Sequence, residues 1–457
     1  AFLIAVVTAA GSAAQPVEEG QTITYEQGMA YAIQTLRVGR PDLTLELAER
    51  LRRARPKDPL VHYLKASAHA GLGDVRNGRK SAARAYRLSD SSASKFQAAQ
   101  LAARLSVQEE KPTLAQIWLR RTAIHAPDEQ TEELIARDYK ALRQINPWAL
   151  RIRAELRPSN NVNNGSDTSL QIIDGVPVIG ILSGASLALS GLIGSVDMIA
   201  SYRLDQTNTS LTSVGGRLYV QKVKFSSEAK ELAPNVDESR FDATYAELSL
   251  RHAFTVGKPG FGGSAAVDFA SGSSYWGGER NYNFARLAGE RTWRYSDGSR
   301  FRFSALAETR FASRFPTNEA DILGLGAMYF RPLKNGDNFT VDLAYRDTEA
   351  DNPNGTFESA SIRLAYGLGR PVGPARIDAG LVFGYSHYPV FRSGGFILVP
   401  GGRRDRSIYA DVNFFFDRYD YAGFAPMLRL RAGKRSSNDS RFNFREISLS
   451  MGIESKF

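Results

Sequence analysis

Charged side chains that could act as acids and bases recur at alternate positions in the second two-thirds of the chain. Two carboxylates held close together can act as a general acid and a general base, as in hydrolases. The same alternation also arises where a wall of ion pairs faces water, and this second interpretation is favoured. The acidic residues are Glu308, Asp342, Asp378, Asp411 and Glu446, and the basic ones are Arg302, Arg310, Arg346, Arg376, Arg429 and Arg431.

Other signatures of catalysis or metal binding are weak in this sequence. His62 and His69 are seven positions apart and would share a helical face, but two ligands do not make a metal site. The chain has no cysteine, and its sequence lacks the metalloprotease, nucleophile-elbow, phosphate-loop and dinucleotide-binding patterns. The sequence therefore predicts a non-enzyme without a cofactor or a metal ion.

Composition narrows the class of protein further. The net charge of +10 divides evenly, with +5 in residues 16–146 and +5 in residues 147–457, so no basic patch for nucleic acid is expected. A mean hydropathy of −0.30 argues against a bundle of membrane helices but is compatible with a membrane barrel that has a polar interior. The absence of cysteine suits a chain that crosses an oxidising compartment before it folds.

The first residues form an apolar run that ends on small side chains. The stretch AFLIAVVTAAGSAAQP resembles the core and cleavage region of a secretory signal, with cleavage expected near Ala14. We predict that residues 1–15 are a truncated signal peptide, with a short buried helix as the alternative.

Residues 16–146 contain an internal repeat. Gly73 follows Gly39, and Ala82 follows Ala48, by the same interval, which is the period of about 34 residues typical of tetratricopeptide repeats. Glycine at the helix turn, alanine at a close-packing position and proline after the second helix also fit that repeat. Three to four such helix pairs predict a short solenoid whose concave face binds an extended peptide, with Tyr31, Tyr63 and Tyr86 as candidate groove residues.

At Trp148 the apolar period changes from about 3.6 to 2, which predicts strands. About fourteen such runs follow, and long and short connections alternate between them, as in outer-membrane barrels with external loops and periplasmic turns. An even number of strands returns the chain to the periplasmic side. The runs lie near 148–157, 187–204, 209–224, 241–255, 263–270, 282–295, 300–311, 322–332, 338–346, 357–368, 375–386, 406–416, 424–433 and 444–457.

Two details of this region are expectations to be checked. The segment 271–281 is predicted as one of the long loops. The uncharged segment 175–196 is predicted as a loop that leads into a strand of small residues, although it is long enough to span a bilayer as a helix or to plug the barrel.

Two stretches, PWALRIRAELRPSNNVN (147–163) and IDGVPVIGILSGASLALSGLIGSVDMIASYRL (173–204), resemble the surface lipoprotein assembly modulator family, the outer-membrane proteins of type XI secretion. Residues 147–163 resemble the family's P-W…P-x-x-N-[IV]-N start of the barrel, with Asn160 as an additional asparagine. Residues 173–204 resemble its block of G-x-P, S-G, a small-residue strand and a tyrosine. The matching residues are Pro147, Trp148, Pro158, Asn161, Val162, Asn163, Gly175, Pro177, Ser183, Gly184 and Tyr202.

The resemblance implies a protein exporter. Its fold would be a periplasmic tetratricopeptide α-solenoid (16–146) followed by a 14-stranded antiparallel outer-membrane β-barrel (147–457). Clients would be surface lipoproteins or small secreted β-proteins, delivered by periplasmic chaperones. The last strand resembles the signal read by the barrel-assembly machinery, through Leu449, Met451, Ile453 and Phe457.

Two other functions stay open at this point. Polysaccharide exporters combine the same two modules, although usually with more helical repeats than are present here. A barrel enzyme would need one of the carboxylate pairs described above.

Overall fold

A computed structural model describes residues 2–3, 22–257, 262–314, 318–419, 421 and 424–455. The chain divides into two compact units, Ala1–Pro147 and Trp148–Phe457. Apart from Phe2 and Leu3, which pair with Thr22–Ile23, the predicted signal peptide lies outside the described residues, as does Phe457. No helix of the described part is long and apolar enough to cross a bilayer.

The first unit is built from seven helices in its described part, each packed against the next along the chain as in a solenoid. Thr24, Asp58, Asp74, Ser91 and Asp128 cap helices by accepting hydrogen bonds from backbone N–H groups of the first turn. The helices are α1 (Tyr25–Arg37), α2 (Pro41–Ala54), α3 (Pro59–Gly71), α4 (Val75–Leu88), α5 (Ser92–Gln108), α6 (Pro112–Ala123) and α7 (Glu129–Ile145).

The repeat seen in the sequence has a structural basis. Gly39 and Gly73 adopt positive φ angles of 74° and 75° in the turns after α1 and α3, which a residue with a Cβ atom rarely adopts. Ala48 and Ala82 are fully buried, so their small side chains allow close helix packing. In the turn after α5, Glu110 takes the positive φ instead, at 56°.

The second unit is a closed antiparallel barrel of fourteen strands in sequence order, which confirms the predicted number. The strands are β1 (Trp148–Ser159), β2 (Gly191–Gln206), β3 (Ser210–Phe225), β4 (Ala243–Val256), β5 (Gly263–Trp276), β6 (Glu279–Arg294), β7 (Arg300–Phe311), β8 (Ala320–Pro332), β9 (Asn338–Ala350), β10 (Phe357–Gly367), β11 (Arg376–Tyr388), β12 (Arg403–Phe415), β13 (Phe424–Ser437) and β14 (Phe444–Ser455).

The three longest connections, 160–190, 226–242 and 389–402, all fall at one end of the strands. We call this end the long-loop rim and the opposite end the short-turn rim. One predicted loop is wrong: in place of 271–281, β5 and β6 continue to a tight turn at Gly277 and Gly278, both with positive φ. The helical alternative for 175–196 is also wrong, because Val176–Ile181 pairs with Leu170–Ile173 as a hairpin and β2 begins at Gly191.

The remaining elements of the barrel unit lie mostly at the long-loop rim. They are a 3₁₀ turn at Gly184–Ser186, a helix at Ser227–Leu232, 3₁₀ turns at Glu238–Phe241, Pro353–Gly355 and Ser440–Phe442, and paired strands at Arg392–Ser393 and Ile397–Leu398. At the short-turn rim, a 3₁₀ turn at Asp417–Tyr419 lies between β12 and β13.

Candidate functional site: the barrel interior and the helical groove

Arginines and carboxylates form an ion-pair network on the inner face of β4–β7. Arg286 lies between two glutamates, with its Nη2 2.5 Å from Glu247 Oε2 and its Nη1 3.4 Å from Glu308 Oε2. Arg310 Nε contacts the other oxygen of Glu308 at 2.9 Å. Arg251 of β4 pairs with carboxylates on β5 and β6. The predicted wall of ion pairs is therefore the arrangement observed here.

A second network occupies another part of the wall, on β10–β12. Arg363 binds Asp411 through two hydrogen bonds of 2.7 and 2.9 Å, a geometry that fixes both side chains. Asn413 donates to Asp378 at 2.7 Å and to Asp411 at 3.1 Å. Because these carboxylates are engaged by arginine or amide groups, the geometry supports solvation of the interior rather than an acid and base pair.

The predicted interior arginines occupy two settings. Arg310 belongs to the first network, and Arg302 lies on the same inner face of β7 by alternation. Arg429 and Arg431 line a cavity of about 510 Å³ beside the junction of the first and last strands. The other lining residues that contribute charge are Arg153, Glu155, Arg157, Asp197 and Glu446.

The junction between β14 and β1 has the shortest ladder of the barrel. Five residue pairs are in register there within the described residues, against ten to fifteen at each other junction. Pro158 lies in the gap of this ladder, and it has no N–H to give to a neighbouring strand. Two ion pairs cross the junction on the inner face, Arg153–Glu454 at 2.7 Å and Arg157–Glu446 at 2.5 Å.

The predicted asparagine motif organises the first long loop. Asn161 exchanges two hydrogen bonds of 2.9 Å with the backbone of Gly165. Asn163 Nδ2 donates to the carbonyls of Ala185 and Leu187, and its Oδ1 accepts from the N–H of Leu189 at 2.9 Å. The contacts of Asn163 join two distant parts of the loop, whereas those of Asn161 hold the backbone four residues further along, so both asparagines have a structural role.

Val162 between them belongs to a buried apolar cluster with Leu189, Ile193, Val223 and Phe225. This cluster fixes the loop against the wall of β2 and β3. The segment around Asn161 and Val162 therefore lies inside the barrel, where both residues line the cavity described above.

The other motif residues also have local structural explanations. Trp148 begins β1 directly after Pro147, and its ring packs edge-on against Tyr202 at 4.9 Å between centroids. Gly175 adopts a φ of 83° in the turn of the 170–181 hairpin. Ser183 precedes the 3₁₀ turn that begins at Gly184, which has a φ of 55°.

The 170–181 hairpin is fastened to two other long loops, which sequence reasoning did not foresee. Gln171 Nε2 donates to Ser393 Oγ at 2.6 Å and to Asp439 Oδ1 at 3.1 Å. Ile173 packs with Phe391 and Val399. Partners so far away along the chain leave no local signal in the sequence.

A buried arginine belongs to the same assembly of loops. Arg403 is 5% exposed, and its guanidinium carbon is 3.7 to 4.4 Å from the ring centroids of Tyr388, Phe442 and Phe391. Its Nη2 is 3.2 Å from Asp405. Cation–π contacts of this kind help to hold the last long loops together at the rim.

In the helical unit, a groove of about 830 Å³ runs across α3, α5 and α7. Tyr63 lines it, as predicted from the sequence, together with the apolar side chains Leu101, Val107 and Ile145. Val107 and Ile145 are 46% and 67% exposed. Gln97, Gln100, Arg104 and Asp138 provide polar groups at its edge.

The two other candidate tyrosines lie elsewhere in the helical unit. Tyr86 on α4 packs against Trp118 and contacts His125 Nε2 through its hydroxyl at 3.2 Å. Tyr31 on α1 is 48% exposed and does not line the groove. Among the described residues, no three side chains of the metal-binding types are grouped closely enough to hold an ion.

No family model and no curated protein matches the chain. Solved structures with similarity include OccAB3 of Acinetobacter baumannii, with 10% identity and a TM-score of 0.37 over 67% of this chain and 98% of that one. The COG4313 outer membrane channel of Pseudomonas putida F1 matches with 9% identity and a TM-score of 0.34 over 67% and 94%. The type III secretion translocator chaperone SycD of Yersinia enterocolitica matches with 12% identity and a TM-score of 0.24 over 26% and 83%.

Proposed function

We propose that the second unit is an outer-membrane barrel and that the whole chain exports proteins to the cell surface. The first part of this proposal rests on the difference between the outer and inner faces of the barrel wall. Leu248, Leu323 and Ile447 face outward and are 72%, 62% and 74% exposed, whereas the inward positions hold the ion-pair networks. A wall that is apolar outside and charged inside is stable when its outside meets lipid and its inside meets water.

The outward apolar residues form a band around the barrel, which we call the apolar band. Aromatic side chains lie at both of its edges, as expected for the interfaces of a bilayer. Near the short-turn rim, adjacent outward rings pack against each other, as in Trp293 and Phe301, whose planes are tilted by 34° with 5.5 Å between centroids. Outward aromatic residues include Trp148, Tyr202, Trp293, Phe301, Tyr329, Phe339 and Tyr366 at that end, and Tyr275, Phe311, Tyr345 and Tyr385 at the other.

The connections support an orientation. External loops of outer-membrane barrels are long and periplasmic turns are short. Since β1 begins and β14 ends at the short-turn rim, the chain would enter and leave the barrel on the periplasmic side. The helical unit, which precedes Trp148, would then lie in the periplasm.

The helical groove supports a role in client capture. Its apolar floor and polar edge suit an extended or amphipathic peptide segment. Binding there would raise the concentration of a client near the barrel. Together with the Pro-Trp and asparagine motifs, this supports membership in the surface lipoprotein assembly modulator family.

Deletion of the gene tests the exported class. The expected result is that a lipoprotein or small secreted β-protein encoded next to this gene is made normally but disappears from the cell surface. Unchanged surface exposure of that product would contradict protein export. Loss of surface polysaccharide instead would identify the chain as a sugar exporter.

A matched pair of variants on α7 tests the groove. Ile145→Asp places a charge in the groove, while Leu134→Asp places the same charge on an exposed position that does not line it. Only Ile145→Asp is expected to reduce client export, with both variants inserted in the membrane to the same level. Equal export by the two variants would exclude this groove as the capture site.

A further inference from the structure

The outer surface of the barrel carries an uneven distribution of charge at the long-loop rim. On β12–β14, Arg406, Lys434 and Arg445 face outward. Successive side chains of a strand point to opposite faces, and the residues at alternate positions on these strands line interior cavities. Those inward residues are Asp405, Tyr409, Arg435 and Glu446. All three outward basic side chains are exposed. We call these three residues the basic patch.

Strand register makes the basic patch contiguous. Lys434 is directly opposite Arg445 on one side and Ile408 on the other. Arg406 is two positions from Ile408 on the same strand, and it is opposite the outward ring of Tyr385. Neighbouring side chains on one face of adjacent strands lie within reach of one shared ligand.

The basic patch has few acidic neighbours. None of its three side chains has a carboxylate oxygen within 4.0 Å in the described part of the chain. Arg404, at its outer edge, is 3.9 Å from Asp174. Asp167 of the first long loop is close enough to Arg445 to interact electrostatically, and burial raises the pKa of Asp167.

The patch borders the apolar band directly. The next outward row toward the bilayer is Ala410, Ala432 and Ile447, and the row after it is Val412, Leu430 and Leu449. A ligand that fits both rows needs an anionic head at the height of the basic side chains and hydrocarbon below it.

We propose that the outer face of β12–β14 binds the phosphorylated headgroup of a glycolipid in the outer leaflet. Arg406, Lys434 and Arg445 would donate hydrogen bonds to phosphate oxygens, and the acyl chains would lie along the apolar rows beneath them. The inference rests on the proposed membrane location. It does not depend on what the barrel transports.

The same rim offers a contrasting surface. On β8–β10 the outward positions are acidic, with Asp321 opposite Glu349 and Asp347 opposite Glu358. Phosphate would be repelled there, so the bound glycolipid is expected on one side of the barrel only.

Binding can be measured with the full chain in phosphatidylethanolamine vesicles that contain bisphosphorylated lipid A. The variant Arg406→Ala with Lys434→Ala removes two cations from the patch. The control, Arg331→Ala with Lys334→Ala, removes the same charge from the exposed short-turn rim. Removing a cation near a charged bilayer surface should weaken binding about fivefold, so about thirtyfold is expected for the patch variant. The control should match the unmodified protein.

The possible results distinguish failure of the glycolipid site from failure of the proposed membrane barrel. Equal affinity of both variants for lipid A, with normal barrel insertion, would overturn the glycolipid site and leave the membrane barrel intact. Dephosphorylated lipid A should bind as weakly to the unmodified protein as lipid A binds to the patch variant. If inorganic phosphate at millimolar concentration displaced lipid A fully, the site would be one for free anions, which would also overturn the proposal. Failure to insert in vesicles would instead contradict the proposed function.

Discussion

The helical unit and the barrel use leucine in opposite ways. In the helical unit, Leu51, Leu64 and Leu105 are at most 3% exposed, and charged residues cover the surface. In the barrel, Leu248 and Leu323 are mostly exposed, and charged residues form pairs inside. Apolar surface is stabilised wherever water is excluded, by neighbouring helices in one unit and, in the proposed membrane location, by lipid in the other. An apolar side chain therefore need not be buried inside its own chain to be stabilised.

The largest effect is expected from the core of the helical unit. Leu105 is fully buried there, whereas Leu43 is exposed at the surface of α2. Leu105→Ala should lower the free energy of unfolding of this unit by about 2–5 kcal/mol, because it leaves a cavity. Leu43→Ala should change that free energy by only about 0.5 kcal/mol or less. Chemical denaturation followed by circular dichroism measures both, and equal effects would mean that the solenoid lacks a packed core.

Adjacent residues of β2 test the opposite arrangement in the barrel. Val196→Arg should destabilise the inserted barrel by about 2–4 kcal/mol, because its side chain faces outward into the apolar band. Ser195→Arg points into the interior cavity beside Asp197 and should have little effect. Denaturant titration of folding into vesicles compares them. If Ser195→Arg were the more damaging variant, the assignment of inner and outer faces would be wrong.

Hydrogen bonds in the first long loop should matter next. Asn163 holds backbone groups of residues 185–189. Asn163→Ala leaves those groups without their partner and should cost about 1–3 kcal/mol locally. Amide exchange of Leu189 and protease cleavage of the loop should both become faster, with Asn208→Ala in an exposed turn as the control. Export that fails while the loop stays protected would assign Asn163 a direct role in transport.

The smallest effect concerns surface charge on the helical unit. Hydrogen bonds from Arg79 and Lys111 lower the pKa of Glu109 to about 2. Because the folded-state pKa lies below the unfolded value, this stabilisation is present above about pH 4.3 and disappears as the pH falls through the folded-state pKa. Glu109→Gln should therefore lower the Tm at neutral pH and leave it unchanged in strong acid. Glu133→Gln serves as the control, and a difference that persists in strong acid would refute the electrostatic explanation.

Most of the fold could be predicted from the spacing of apolar residues in the sequence. The alternation from Trp148 onward predicted fourteen strands because each strand has an apolar outer face and a polar inner face. The error at 271–281 has a clear cause. Tyr275 and Trp276 lie among glycines and serines, whose weak strand preference hides a strand that its neighbours support.

The sites were less predictable. The interior positions of Arg429 and Arg431 followed from alternation, whereas Tyr63 lines the helical groove and the other two candidate tyrosines, Tyr31 and Tyr86, do not. The cation–π contacts of Arg403 and the anchoring of Gln171 depend on loops that are far apart in sequence. Such contacts form only when the barrel closes, so no local pattern encodes them.

By itself, the amino-acid sequence determined which residues alternate, where helices give way to strands and how many strands there are, because these follow from side-chain chemistry at short range. Tertiary structure alone decided which carboxylate pairs with which arginine, that the ladder between β14 and β1 is the shortest among the described residues, and that Arg406, Lys434 and Arg445 lie together. The physical reason is that closure of the barrel sets the register between strands, and register places side chains from distant segments side by side.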